Sequence, residues 1–321
     1  MRVAEERRKP LRWPGRVDPG KSLFVSPVRL PPIERLLVWL ARAAWALLPL
    51  GAGPAIGHAL ADASRPVQLT GSIGCWAVWG AGLVASLVPT TVSLTVWRLL
   101  GPGPVAAVAV AAAARADGTA TVVSLAHALV VVALVFSGEV GQTFVQGSAY
   151  GAEHRFPLRV PGPLALGPLP VGWSLAAAGL LAGPLLLAAH RWWPGALVTV
   201  PAGAWAWVLA RRCHRLSRRF LVFVPAGFVV HDHLVLAETA MFAADTVRGM
   251  RLAPAGTEAA DATGHALGPA LEVHVTDAKI VLAGTMRTPG GTALHVRSLL
   301  VSPTRPGRVL DHAATRAWRM T

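Results

Sequence analysis

Charged residues are scarce in this chain of 321 residues, where only 14% of the side chains are charged and lysine is nearly absent. Hydrophobic residues make up 53% of the sequence, and the mean hydropathy is +0.50. A typical soluble domain carries about 25% charged residues. The composition therefore excludes an ordinary soluble domain and indicates an integral membrane protein.

Cysteine is also scarce, because Cys75 and Cys213 are the only two and no CxxC or Cys/His spacing connects them. This excludes a disulfide framework and provides no zinc motif, so we predict neither a metal nor a cofactor. The first 35 residues lack the apolar core and the small-residue cleavage site of a secretory signal. We expect residues 1–35 to form a basic cytoplasmic tail that is retained.

Six segments are long and apolar enough to be transmembrane helices, which need about 20 predominantly apolar residues to cross the hydrocarbon layer. The predicted spans are 36–59, 71–88, 91–114, 119–137, 168–188 and 193–210. Four of them occupy residues 36–137 and two occupy 168–210, with a cytoplasmic loop at 138–167 between. Gly101-Pro102-Gly103-Pro104 interrupts the third span and favours a broken helix.

Arginine and lysine are concentrated in the N-terminal tail and in the segment 211–219 after the sixth span. Because cytoplasmic loops collect these residues, we predict a protein of the cell membrane with both ends of the chain in the cytoplasm. Topology then explains much of the formal net charge of +14, and nucleic-acid binding is not expected.

The segment 211–219 continues the sixth helix and places five arginines within an arc of roughly 120°. Anionic headgroups attract each basic side chain at the membrane surface by about 1 kcal/mol. We therefore predict contacts with anionic lipids of the inner leaflet, the alternative being that these arginines only set topology. The five residues are Arg211, Arg212, Arg215, Arg218 and Arg219.

The hydrophobic pattern changes from helical to strand-like after Arg219. FLVFV at 220–224, a Pro-Ala-Gly turn and FVVH at 228–231 predict a β-hairpin. The predicted fold is a membrane α-helical bundle of about six helices, followed at 220–321 by a small cytoplasmic antiparallel β-barrel or sheet domain. Pro306 begins a predicted C-terminal helix. Further strand-like runs lie at 234–243, 245–253, 270–276, 278–284 and 293–301.

Several of these stretches resemble known bacterial proteins. The order RRFLVFV, an Ala-Gly turn, FVV and then ETAMFAADTVRGMRLA is similar to the PH-like domains that follow membrane helices in bacteria. VPAGFVVHD, GSAYGAEHRFPLRVPG and SPTRPGRVL resemble stretches of actinobacterial multispanning membrane proteins. The resemblance implies a PH-like fold for the tail domain and carries no catalytic residue.

Two arginines, Arg42 and Arg98, lie inside predicted spans, where a charge is costly and often functional. Each is about 9 Å along its helix from the cytoplasmic start, so one alternative is that both side chains extend to the inner headgroups. The sharper hypothesis is that Glu139, at the end of the fourth span, pairs with one of them. Such a pair would connect the first, third and fourth spans.

No catalytic motif is present, since the chain has no Walker pattern, no nucleophile elbow and no HExxH sequence, and no enzyme activity is predicted. His58 and Asp62 at the end of the first span, with His127 in the fourth, are one candidate for a metal or proton-relay site. Structural roles for these residues are favoured. His231-Asp232-His233 is predicted to form a solvated hairpin tip.

The predicted function is that of a non-catalytic membrane adaptor or accessory subunit, whose tail domain engages a protein partner or anionic lipid. The alternative is a small transporter or lipid-handling protein that uses the broken third helix. A polar cavity lined by Arg98, His127 and Glu139 would favour the transporter. The loop at 138–167, with its dense Glu153-His154-Arg155, is expected to order against the tail domain or a partner.

Overall fold

The computed structural model describes residues 32–114, 118–284, 292–316 and 319–320, so most of the predicted N-terminal tail lies outside the described residues. The helices are α1 (Pro32–Ala46), α2 (Leu48–Gly51), α3 (Gly53–Leu60), α4 (Arg65–Leu87), α5 (Thr91–Leu100), α6 (Gly103–Ala113), α7 (Gly118–Val135), α8 (Gly138–Gln146), α9 (Gly162–Leu166), α10 (Pro168–Ala188), α11 (Trp192–Ser217) and α12 (Pro306–Ala314). The strands are β1 (His154–Pro157), β2 (Phe220–Val224), β3 (Gly227–His231), β4 (Ala240–Ala243), β5 (Val247–Leu252), β6 (Ala260–Asp261), β7 (Leu271–Ala283), β8 (Thr292–Val301) and β9 (Arg319–Met320).

Five helical segments among the described residues are long and apolar enough to cross a membrane. They overlap the second to sixth predicted spans, which confirms those five as apolar helices of membrane-crossing length. Only 17–22% of the residues in each segment's most apolar stretch are buried within the protein, so the other residues of each stretch are at least partly exposed. The segments are Arg65–Leu87, Thr91–Ala113, Gly118–Val135, Gly162–Ala188 and Trp192–Ser217.

The first predicted span, 36–59, is not one continuous helix, because its residues form the three short helices α1 to α3. Pro49 and Pro54 lie in the first turns of α2 and α3, where a missing N–H costs least. None of the three pieces reaches the length that a membrane crossing requires. The first predicted span is thus a helical segment interrupted at Leu47 and Ala52, and it is not among the five segments of membrane-crossing length.

Side chains of α7 satisfy backbone carbonyls next to these breaks. Ser124 Oγ donates a hydrogen bond to the Gly51 carbonyl over 2.7 Å, and His127 Nε2 lies 2.9 Å from the Ala44 carbonyl oxygen. Because water is excluded from an apolar bundle, such partners keep the exposed carbonyls from remaining unpaired. His127 thus has a structural role.

The predicted break in the third span is confirmed, since α5 ends at Leu100 and α6 begins at Gly103. Pro102 and Pro104 have no N–H to continue the helical hydrogen bonds. Next to the break, the Leu99 carbonyl accepts a hydrogen bond of 2.8 Å from the Trp173 indole of α10. The break is therefore stabilised by the neighbouring span.

Aromatic side chains fill the centre of the bundle. Trp45 of α1 is fully buried and packs edge-on against Trp97 of α5, with ring centroids 6.3 Å apart. Phe144 of α8 packs on Trp97 at 5.5 Å. The indoles of Trp45 and Trp79 each donate to the other residue's carbonyl, over 2.9 and 3.2 Å. These contacts join α1, α4, α5 and α8.

The described strands form two sheets. One has the order β1-β2-β3-β4 and is antiparallel throughout. The other has the order β6-β8-β7-β5-β9, with antiparallel pairing at its centre and parallel pairing of β6 with β8 and of β9 with β5. Val309 and Ala313 of α12, four residues apart, pack into the core shared by both sheets. An antiparallel sheet domain with a C-terminal helix is thus confirmed.

The segment 138–167 belongs to the folded structure and is not only a connecting loop. It contains α8 and α9, and its strand β1 pairs with β2, with Phe156 opposite Leu221. Ser137 caps α8 by accepting a hydrogen bond of 3.3 Å from the Val140 N–H. The sheet domain therefore includes residues from before the last two spans as well as the described residues from Phe220 onward.

Both faces of β2 are buried, which explains why FLVFV is apolar without interruption. Leu221 and Phe223 pack into the core between the sheets. Phe220 and Val222 lie on the opposite face and pack with the bundle cluster that contains Phe144. Successive side chains of a strand alternate between faces, so β2 connects two hydrophobic cores. The first sheet thus lies directly on one end of the bundle, which we name the sheet side.

Candidate functional site

The sheet side of the bundle brings together the end of α11, the start of α5 and the strands β1 to β3. Thr95 Oγ1 lies 3.1 Å from His214 Nδ1 and donates to Ser217 Oγ over 3.0 Å, which joins α5 to α11. The Thr91 N–H donates to Ser148 Oγ over 3.1 Å, which joins α5 to the segment after α8. These contacts fix the position at which the chain leaves α11 and enters β2.

Arg219 and Asp232 form a buried ion pair at this position. Arg219 Nε and Nη2 donate to the two carboxylate oxygens of Asp232 over 2.7 and 2.5 Å, and both side chains are 0% exposed. Arg219 Nη1 donates to the Arg159 carbonyl over 2.6 Å. Asp232 also accepts from the Leu234 N–H over 3.1 Å. The pair connects the end of α11 to β3 and to the segment after β1.

This burial changes two sequence predictions. Arg219 cannot contact lipid headgroups, because its guanidinium is enclosed and held by Asp232. Asp232 is not part of a solvated hairpin tip, although His233 beside it is exposed. The other four arginines of the predicted basic face are exposed at the end of α11, and Arg211 lies over the Trp207 ring at 4.6 Å.

A pocket of about 380 Å³ opens between the bundle and the first sheet, and we name it the junction pocket. Its apolar wall consists of side chains from β2 and β3, and its polar part includes two arginines, a glutamate and a histidine. Thr91 contributes the edge that belongs to α5. The full lining is Thr91, Glu153, Arg155, Arg218, Phe220, Val222, Val224, Val229 and His231.

The polar side chains of the junction pocket are held in a stacked arrangement. Arg155 Nη2 lies 2.7 Å from Glu153 Oε2, and its guanidinium lies over the Phe220 ring at 5.1 Å. The imidazole of His231 stacks on the same Phe220 ring, with ring centroids 5.0 Å apart and an interplanar angle of 26°. The aromatic ring of Phe220 thus fixes a cation and an imidazole in the pocket.

The junction pocket is electropositive. Burial and the nearby Arg218 lower the pKa of His231 below its ordinary value, with Arg155 acting in the same direction and Asp232 opposing it. His231 is therefore neutral at pH 7. Two arginines and one glutamate among the lining residues leave one net positive charge. Arg218 is exposed and has no acidic partner among the described residues.

The three residues of the predicted intramembrane charge network do not pair with one another in the structure. Glu139, 9% exposed, pairs with Arg305 from the segment before α12. Arg42 Nε donates to the Ser86 carbonyl over 2.9 Å. Arg98 lies over the Phe136 ring at 5.7 Å and reaches α8. Glu139 therefore joins the bundle to the sheet domain and does not connect spans through Arg42 or Arg98.

Metal chemistry has no support in the part of the chain that the structure describes, where no three His, Cys, Asp or Glu side chains are grouped to hold an ion. The Nε2 atom of His127 is already within hydrogen-bond distance of the Ala44 carbonyl oxygen. Cys75 and Cys213 are both free thiols.

Comparison with family models, curated proteins and solved structures finds no match to this chain.

The sequence predicted Arg218 as a lipid contact but did not predict the rest of the junction pocket. For Arg155 and Glu153 the sequence predicted only a position in a charged part of the loop 138–167. Phe220 and His231 face each other across β2 and β3, in a register where the two residues are directly paired. The register of the predicted hairpin is the feature of the sequence that could have placed Phe220 beside His231.

Proposed function

We propose that this chain is a non-catalytic integral membrane adaptor or accessory subunit, whose PH-like sheet domain is fixed to the inner surface of the cell membrane. The observation that carries the proposal is the pairing of β1 with β2. Because β1 follows α8 and β2 follows α11, the sheet domain is connected to the bundle at two separate places. Such a domain presents one constant surface at the membrane.

The arrangement of strands supports a PH-like identity for the sheet domain. Two mainly antiparallel sheets enclose one core, and the C-terminal helix α12 packs into that core. The arginines at the end of α11 support a cytoplasmic position, since basic residues collect on that side of membranes. Both ends of the chain then lie in the cytoplasm.

An open sheet edge favours a protein partner. Among the described strands, β4 forms one edge of the first sheet, and its Met241 side chain is 44% exposed. Unpaired backbone groups on an edge strand accept an added strand from another protein. We therefore expect the partner to bind along β4.

Affinity purification of the full-length protein from native membranes, followed by mass spectrometry, tests the adaptor proposal. We expect a stoichiometric partner that Met241→Lys weakens and that Leu267→Lys, a matched change at another exposed apolar residue of the sheet domain, leaves bound. Equal recovery with both variants would argue against binding along β4. A monomer without partner that carries a bound solute would overturn the adaptor function.

Transport is a second candidate because both the first and the third spans are broken. The breaks follow Ala46 in α1 and Leu100 in α5, and broken helices in pairs line the sites of many transporters. Solute uptake by proteoliposomes that contain only this chain would favour transport, and its absence would favour the adaptor.

A further inference from the structure

We infer that the junction pocket binds the headgroup of an anionic phospholipid, with the phosphate between Arg155 and Arg218 and the glycerol end of the lipid against the apolar wall. The inference rests on the proposed position of the sheet domain at the inner membrane surface. It assigns a built site to the lipid, distinct from the exposed arginine face at 211–215. Three features of the pocket support it.

The first feature is charge. Arg218 lies at the C-terminal cap of α11, where the chain leaves the bundle, and the pocket keeps a net positive charge with Glu153 included. Arg155 is positioned by Glu153 and by the Phe220 ring, so little conformational freedom is lost when it binds an anion. A planar guanidinium also matches the geometry of a phosphate better than an ammonium does.

The second feature is the apolar wall. Val222, Val224 and Val229 line one part of the junction pocket, and all three pack with the hydrophobic cluster of the bundle. A free phosphate ion would contact only the charged part of the pocket, and the three valine side chains would remain exposed to water. A phospholipid joins a charged phosphate to a diacylglycerol with apolar chains, which matches both parts of the lining.

The third feature is location. The pocket lies where α5 begins and α11 ends, on the sheet side of the bundle, which the proposed orientation places at the inner headgroups. Arg211, Arg212 and Arg215 are exposed on the last turns of α11 and attract anionic lipid toward this level. A volume of about 380 Å³ accommodates a headgroup and its glycerol, and it lies within the usual range of small-ligand sites.

The test uses full-length protein in nanodiscs of phosphatidylcholine with a minor fraction of phosphatidylglycerol, with native mass spectrometry of the lipid that each chain retains. Wild-type protein is expected to retain phosphatidylglycerol. Arg155→Gln and Arg218→Gln should each retain about tenfold less, because each removes a charge-assisted hydrogen bond to the phosphate. Arg211→Gln and Arg212→Gln remove the same charge outside the pocket and take away only attraction at the membrane surface, so each should retain several times more lipid than either pocket variant.

Two results would overturn the lipid site. One is equal loss of lipid in the pocket variants and in the Arg211 and Arg212 variants, which would mean general attraction to the membrane surface. The other is wild-type retention by an Arg155→Gln/Arg218→Gln double variant. Arg218 is exposed, so its substitution leaves folding intact, and a wild-type melting temperature for Arg218→Gln checks this.

Inorganic phosphate distinguishes a lipid from a soluble anion. Added in excess to lipid-free protein in neutral detergent, it should not bind measurably by calorimetry, since it uses only the charged part of the pocket. Arginine-dependent phosphate binding that matches the affinity for phosphatidylglycerol would overturn the phospholipid assignment.

Capture of the partner by the same variants separates this inference from the proposed function. Arginine-dependent lipid retention together with an unchanged partner supports both proposals. A partner bound to wild-type protein that retains no phosphatidylglycerol overturns only the lipid site. Arginine-dependent lipid in a chain that captures no partner supports the lipid site and overturns only the adaptor function.

Discussion

Arg219 and Asp232 face each other in a two-hydrogen-bond ion pair from which solvent is excluded, at the point where the last membrane helix becomes the first strand of the hairpin. The cation lies between α11 and β2, and the carboxylate follows β3 directly. This pair therefore contributes to the direction in which the sheet leaves the bundle, together with the contacts of α5 and α8.

Removal of one member of this pair should strongly destabilise the protein. Asp232→Ala leaves the Arg219 charge buried without compensation, and we expect the free energy of unfolding to fall by about 3–5 kcal/mol. Arg218→Ala, an exposed neighbour, should change it by less than about 0.5 kcal/mol. Thermal unfolding of the full-length protein in detergent measures both. An Asp232→Ala protein with the wild-type melting temperature would contradict this role.

The sheet domain should lose stability in mild acid through His312. Burial, together with His154 and Arg316, lowers the pKa of His312 to about 4, and burial and Arg316 also lower the pKa of His154. The unfolded chain, in which the pKa of His312 has its ordinary value of 6.5, binds more protons below that pH. Stability should therefore be complete above pH 6.5 and decrease as the pH falls toward 4.

The expected loss from His312 is about 1–2 kcal/mol, since solvent screens a half-buried imidazole. Unfolding of wild-type protein and of a His312→Gln variant across this pH range measures it. The variant should show a flatter dependence on pH, and an identical slope in both proteins would exclude His312 as the group that titrates.

Charge reversal should identify the partner of Glu139. Glu139→Lys places a second cation beside Arg305. The repulsion between them should lower the melting temperature, by an amount that corresponds to roughly 1–3 kcal/mol. Arg305→Glu in the same chain restores an ion pair and should recover part of the loss. Reversal of Arg42 or Arg98 should recover nothing. Recovery through either of those two residues would support the charge network within the membrane instead.

The close approach of α4 to Trp45 should make Gly82 intolerant of a side chain. A Cβ at Gly82 would overlap the buried Trp45 indole, whereas a Cβ at Gly80 meets nothing within 4 Å. We expect Gly82→Ala to cost about 1–3 kcal/mol through overpacking. Gly80→Ala, two residues earlier on the same helix, should be neutral or slightly stabilising. Equal melting temperatures for the two variants would contradict the packing of α1 on α4.

Local patterns predicted most of the architecture. Helices of membrane-crossing length follow from long apolar runs, and the hairpin of β2 and β3 follows from two short apolar runs on either side of a Pro-Ala-Gly turn. The breaks in the first span were missed although Pro49 and Pro54 lie within it, because an apolar run gives length and not continuity. The 270–276 and 278–284 runs proved to be one strand, β7, with an irregularity between His274 and Lys279.

Contacts between distant parts of the chain could not be predicted in this way. Helical spacing groups Arg219 with the other arginines of 211–219, yet the backbone leaves the helix at that point and the side chain turns inward to Asp232. Glu139 and Arg305 are 166 residues apart, and no periodic pattern relates them. The junction pocket depends on the same kind of long-range pairing, because Arg155 reaches it only through β1.

The pairing of β1 with β2 also sets an order of assembly. The chain reaches β1 before α10 and α11, so this strand must wait beside the membrane until both later spans have inserted and β2 has emerged on the same side. Insertion errors in the last two spans would leave β1 and α8 with exposed apolar surface, which chaperones and proteases recognise. The first sheet can thus form only after α10 and α11 have inserted in the correct orientation.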